Sequence, residues 1–197
     1  LGICGDAMSG AEEENQYIWK VGFSNIKNFF FQKIIDKQSY SMNGKINPTT
    51  VAFYIVPLIN AMIRVGTQDE KRRLYESLVD GEKLIPCNKR GAKGTLEKAA
   101  IESIRECVNA RSRQNKILDV AEDKIEIKIY KYDLLENKII IIKLDENDDF
   151  PPELNGLLAM RLCSRYKRPV LVLRENEDGE LKGSARGINN GPIPSLK

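Results

Sequence analysis

The spacing of apolar and polar positions along this 197-residue chain changes several times, and each change marks an element. Leu1 to Gly5 is mostly apolar or small and reads as a short buried strand that ends at Asp6. From Ser24, the spacing of Ile26, Phe29, Phe30, Ile34 and Ile35 predicts a helix with a broad apolar stripe. A polar loop follows over 38–47, with Asn43-Gly44 as its turn. Asn47-Pro48 offers a cap residue followed by proline at the first helical position, and Pro57 is expected to kink or split the helix it opens. Gly66 ends that helix, and Thr67-Gln-Asp-Glu70 is a capping box that starts another, reaching about Val79. Residues 81–94 are basic and broken by Pro86, Gly91 and Gly94, the pattern of a linker or exposed loop. Thr95 then caps a long helix running through Ile101, Ile104 and Val108 to Leu118.

From Lys124 the period becomes two. Ile125, Ile127 and Ile129 alternate with Glu126, Lys128 and Tyr130, which predicts a half-buried strand. Ile139 to Ile142 predicts a second strand, and Phe150-Pro-Pro a break before a helix over Glu153–Tyr166. The strand Pro169 to Leu173 turns at Glu177-Asp178-Gly179 into a last strand carrying Gly183-Ser184-Ala185-Arg186-Gly187. The fold class expected is α/β for the first part and α+β for the second. Residues 1–90 form one domain, 91–121 a connecting helix and 122–197 a small domain with a helix packed on a mixed sheet.

Charge adds little to this picture. Lys and Arg number 31 against 28 Asp and Glu, so any affinity for nucleic acid has to come from local clusters. No apolar run approaches the length of a bilayer span and no secretory pattern opens the chain, so no membrane partner is expected. Cys4, Cys87, Cys107 and Cys163 lie far apart and read as reduced thiols of a cytoplasmic protein. There is no histidine, which excludes an imidazole base and any His-containing metal site within this sequence.

The candidate chemistry is therefore carried by acids, amides and guanidinium groups. Asp6 lies where strand ends in α/β sheets commonly carry ligands. Asn60 and Arg64, four residues apart, share one face of a helix and suit a phosphate or a carboxylate. Arg111 and Arg113 lie in a basic stretch of the long helix, where cations also offset the helix dipole. Ser184 and Arg186 follow Gly183 on a strand edge and supply a hydroxyl and a planar fork of donors to an anion.

Three segments in order, Leu1-Gly-Ile-Cys-Gly-Asp6, Val56-Pro-Leu-Ile-Asn-Ala-Met-Ile-Arg-Val-Gly66 and the run from Leu157 through Gly-Ser-Ala-Arg-Gly187, resemble the DHH phosphoesterases, most closely the RecJ-type single-strand exonucleases. That resemblance implies a nuclease that hydrolyses phosphodiester bonds of single-stranded DNA in repair and recombination, with Mn²⁺ or Mg²⁺ as cofactor and Asp6 as one metal ligand. It implies that Asn60 and Arg64 lie near the active-site phosphate. It further implies that Gly183, Ser184 and Arg186 hold a phosphate from the second domain, with Arg111 and Arg113 bordering the strand. The sequence departs from the family at Gly187, where a second Ser is frequent, and at Asn60-Ala-Met-Ile-Arg64. The family's Asp-His-His motif is not in this chain, so the expectation is a fragment truncated at both ends and inactive alone, with Phe29–Phe31 exposed. Alternatives are a phosphodiesterase for short oligoribonucleotides or cyclic dinucleotides, or an inactive single-strand-binding relative. Oligomeric state is not legible.

Overall fold

The computed structural model describes residues 1–6, 8–145 and 149–188. The chain forms two compact units, Leu1–Arg113 and Gln114–Lys197, and mixes helices with two small sheets.

The first unit is mainly helical. Leu1–Gly5 does not form the expected strand: Gly2–Gly5 is one helical turn, α1, with Asp6 as its C-cap. Five residues are too few for periodicity to separate the two. Helix α2 spans Glu13–Ser24, so Ser24 ends a helix rather than starting one. The next, α3 (Phe29–Gln38), begins at Asn28, whose side chain accepts a hydrogen bond from the Phe31 amide at 3.2 Å. Phe30 and Ile34 are fully buried in α3 and Phe29 and Phe31 are half-buried. The expected exposed phenylalanine cluster is thus part of the core.

Asn47 and Thr50 close a reciprocal capping box at the start of α4 (Pro48–Thr50). The chain continues through a π-helical stretch, Val51–Ile55, into α5 (Val56–Val65). Pro57 has no amide to give and crowds the preceding turn, so a change of hydrogen-bond register just before it is the expected relief. This helical run, Pro48–Val65, has 18 residues and a mean hydropathy of 1.4, which meets the length and composition of a membrane span and corrects the expectation that no segment would. Val51, Ile55, Leu58, Ala61 and Met62 pack in the core of the unit, and Asn60 and Arg64 interrupt the run. Helix α6 (Gln68–Val79) starts at the predicted capping box, with Thr67 and Glu70 each bonding the other's amide.

Residues 81–94 are more than a linker. Strand β1 (Leu84–Pro86) pairs antiparallel with β2 (Leu96–Lys98), and Thr95 precedes β2 rather than capping a helix. The helix itself, α7, begins at Ala99 and runs 33 residues to Lys131.

In the second unit the predicted strand over Lys124–Tyr130 is the end of α7. Ile125 and Ile129 are buried four residues apart, whereas Ile127 between them is 68% exposed. The helical spacing, not the alternation, is what packing used. Strand β3 (Ile140–Leu144) pairs parallel with β4 (Val170–Glu175), and β4 pairs antiparallel with β5 (Leu181–Arg186). The sheet is mixed, as expected, with one strand fewer. Helix α8 (Asn155–Tyr166), after a 3₁₀ turn at Pro152–Leu154, makes the crossover that a parallel pair needs. Leu158, Ala159 and Leu162 are completely buried. Arg161 braces α8 against the end of α7 through Asp119 and Glu122, both at 2.9 Å. Partial burial works against the Arg161 charge, but these two carboxylates outweigh it and hold the guanidinium above its ordinary pKa.

Candidate nucleic-acid interface

The β4–β5 hairpin is organised by its turn. Asn176 Oδ1 accepts hydrogen bonds from the amides of Asp178 (3.2 Å) and Glu180 (2.7 Å), and Gly179 takes φ +78°, a conformation that favours glycine. The turn fixes a register in which Ser184 opposes Val172 and Arg186 opposes Val170. Those two valines are fully buried, so the period of two sends Ser184 and Arg186 to the sheet face that α8 covers. A Cβ placed on Gly156, in the first turn of α8, would lie 2.9 Å from Arg186 Nη2 and 3.5 Å from Ser184 Oγ. The hydroxyl and the guanidinium therefore converge on the start of a helix.

That convergence is suited to an anion. The first turn of α8 carries the positive end of the helix dipole, and its Asn155 amide is already bonded to the Pro152 carbonyl of the preceding 3₁₀ turn. The first turn of α8 has no acidic residue to oppose it. Asn155 beside Gly156 is buried with its Oδ1 unpartnered among the described residues, an acceptor that adds nothing to holding an anion. Arg186 is exposed and keeps Nη1 on the carbonyl of Ala185 at 2.7 Å, leaving Nη2 directed at Gly156. Gly183 has a different reason to be glycine: a Cβ there would overlap the Val172 carbonyl oxygen. The group that approaches it is the backbone of β4.

The remaining candidates lie in the first unit. Asn60 and Arg64 are half-buried on one face of α5, and neither makes a side-chain hydrogen bond or ion pair among the described residues. Asp6 is exposed at the end of α1, which packs on α5, where a Cβ on Gly5 would lie 3.3 Å from Val56 Cγ1. Arg113 donates to Glu70 at 2.6 Å, the same carboxylate that caps α6, and this gives it a structural occupation. Arg111, also half-buried, is likewise engaged within the protein.

Asp6 is a hard oxygen ligand of the kind Mg²⁺ and Mn²⁺ take, but it is a single carboxylate. Among the described residues, three potential ligands come together only at Cys87, Glu97 and Glu102, with their ligand atoms within 4.8 Å of one another. This group fits a hard divalent ion poorly. It includes a thiol, and Arg105 already supplies the cation: it bonds Glu97 at 3.0 Å, Cys87 Sγ at 3.4 Å, and Glu102 as an ion pair. Sequence reasoning missed this cluster and Gly156. The one available signal for Gly156 was a glycine in the first turn of a predicted helix, where propensity gives no reason for it.

No protein-family model matches the chain. The prophage SPbeta-derived protein YorK of Bacillus subtilis (strain 168), named as a single-strand DNA-specific exonuclease, is 32% identical over 201 aligned positions that take in the whole of this chain. The single-stranded-DNA-specific exonuclease RecJ of Bacillus subtilis is 27% identical over 89% of the chain. These alignments cover 34% and 20% of the two relatives, so the chain spans about a third or less of their length. Among solved structures, RecJ of Thermus thermophilus in complex with Mg²⁺ superposes with a TM-score of 0.63 at 19% identity, over 96% of this chain and 26% of that one. An exonuclease RecJ bound to manganese gives 0.61 at 20% identity, over 96% of this chain and 41% of that one.

The fold is thus the one found in part of a RecJ-type nuclease. In sequence the whole chain is similar to one portion of YorK, and most of it to one portion of RecJ, both named as single-strand DNA-specific exonucleases.

Proposed function

We propose that this chain is the strand-holding portion of a metal-dependent exonuclease that hydrolyses phosphodiester bonds of single-stranded DNA. The observation that carries this reading is the convergence of Ser184 and Arg186 on Gly156 at the start of α8. Donors so arranged hold a backbone phosphate without reading a base, which suits an enzyme that does not choose sequence. Asn60 and Arg64, with no internal partners among the described residues, are the phosphate contacts of the first unit. Arg111 and Arg113 border the strand and set helix geometry as well. Asp6 contributes one ligand to Mn²⁺ or Mg²⁺, and the ion, when bound, polarises the phosphoryl oxygen and activates water. One carboxylate does not hold a catalytic ion, so this portion alone binds strands and does not cleave them. The 33-residue α7 favours an exonuclease over the smaller oligonucleotide and cyclic-dinucleotide phosphodiesterases, which are expected to lack that helix. Four free, buried thiols suit a reducing cytoplasm, and DNA repair or recombination is the setting that goes with this activity.

The test is fluorescence anisotropy with a labelled, 5′-phosphorylated single-stranded oligonucleotide at two salt concentrations. The wild-type chain should bind weakly and more weakly at higher salt, with Arg186→Ala losing about 10-fold or more, on the scale of a lost charge-assisted contact of about 1.5–3 kcal/mol. Equal binding by Arg186→Ala would move the phosphate contact away from β5.

A further inference from the structure

We propose that the β1–β2 hairpin is a second, separate contact for the phosphate backbone of single-stranded nucleic acid, made by Lys89, Arg90 and Lys93. This deepens the strand-holding reading and rests on it. The nine residues between the two strands form a closed, internally bonded loop. Cys87 N donates to Thr95 O at 2.8 Å and Gly94 N to Cys87 O at 3.0 Å, while Ala92 N donates to Lys89 O at 3.0 Å and Thr95 N to Ala92 O at 3.1 Å. Gly91 and Gly94 take φ of +84° and +87°, and no atom lies within 4 Å of where their Cβ would be. These glycines serve the turn, and the surface above them is open.

The base of the loop is latched from inside. Arg105 reaches Glu97, Glu102 and Cys87 Sγ together, Asn88 N donates to Glu102 at 3.3 Å, and Lys89 N donates to Cys87 Sγ at 3.4 Å. Burial pushes the Glu97 carboxyl up, but hydrogen bonds from Arg105 and Cys87 prevail and hold it below its ordinary pKa. The nearby carboxylates are paired with Arg105, and Lys89 adds only a longer-range attraction to Glu97. Lys89, Arg90 and Lys93 are exposed and have no ion-pair partner among the described residues. A cleft of about 590 Å³ beside the loop is largely apolar and sets Lys37, Lys89 and Arg105 against Asp36 and Glu97.

The composition of the loop selects the partner. Within the loop three cations are interspersed with Gly91, Ala92 and Gly94, with no aromatic on which a base would stack; the exposed apolar residues of the hairpin, Leu84 and Leu96, lie on its strands. What remains is sequence-independent attraction to a chain of phosphates. Because the loop is already ordered, little conformational entropy is lost when it binds.

The experiment is the same anisotropy titration, with a homopolymeric single-stranded DNA as probe across a salt series. It compares the full chain with Lys89→Ala/Arg90→Ala/Lys93→Ala, with Lys89→Arg/Lys93→Arg, and with Arg186→Ala. The triple variant should weaken binding about 10-fold or more and flatten the log K against log salt slope by about 2. The arginine variant should bind as the wild type does, and thermal unfolding should be unchanged in both because the residues are exposed. Unchanged affinity and slope in the triple variant, with loss in Arg186→Ala, would overturn the hairpin contact and leave the strand-holding reading standing. Loss in the triple variant alone would support the hairpin and count against β5. Absence of binding by the wild type would overturn both, and preference for phosphatidylserine vesicles over DNA would overturn the nucleic-acid assignment.

Discussion

The two hairpins of this chain present cations in opposite ways. In β4–β5 the turn is polar and self-bonded, and the charge sits on the strand, where Arg186 and Ser184 face the start of α8. In β1–β2 the strands are three residues each, and the charge sits on the loop, above a buried latch centred on Arg105. The first sets a hydroxyl and a guanidinium side by side, with geometry set by strand register. The second builds a patch whose position is set by ion pairing beneath it and whose contacts are individually interchangeable.

Three substitutions separate these designs. Gly183→Ala should have the largest effect, because its methyl overlaps the Val172 carbonyl and forces β5 off β4. About 3 kcal/mol of stability should be lost, at the upper end of ordinary overpacking, and seen in urea unfolding. Hydrogen exchange should show the loss spreading through β3, β4 and β5 but not through β1 and β2. Glu102→Gln comes next, at about 2 kcal/mol, because it keeps the shape of a fully buried side chain and removes the charge that Arg105 pairs with. Its exchange signature should be confined to 87–98. Even without that change, the latch should weaken in acid: the folded pKa of Glu97 lies below its ordinary 4.5, so its stabilisation is present above that pH and fades as pH falls through the folded value. Gly156→Ala is the smallest in stability and opposite in sign. Alanine suits the helix by up to about 1 kcal/mol, yet its methyl takes the place where Arg186 Nη2 rests. A raised Tm with weakened oligonucleotide binding is the expected outcome, and unchanged binding would show that Arg186 grips elsewhere.

Much of the fold was legible where a local device fixes it. The capping boxes at Asn47 and Thr67, the end of α5 at Gly66 and the turn before β5 are each settled by side chains within a few residues, and the structure has them where the sequence indicated. The failures have a shared cause. At 124–130 alternation and helical spacing coexist in one stretch, and only packing of Ile125 and Ile129 decides between them. Strands β1 and β2 are too short to have a period, and their pairing depends on the buried Cys87–Arg105–Glu102 contacts that no local pattern announces. The site divides in the same manner. Ser184 and Arg186 were readable as neighbours on one strand edge, whereas Gly156 comes beside them only when the crossover returns α8 to the sheet.

All four cysteines are free and buried. Cys107 is pushed up to about 12 by burial and by the nearby carboxylates of Glu106 and Glu70, and burial also raises Cys163. Thiol reagents attack the thiolate, so Cys107 and Cys163 react slowly at neutral pH. Thiols introduced as Ala92→Cys in one hairpin and Lys182→Cys in the other would therefore label ahead of Cys107 and Cys163. A dye on either hairpin would report, through its own environment, whether a strand sits on that hairpin.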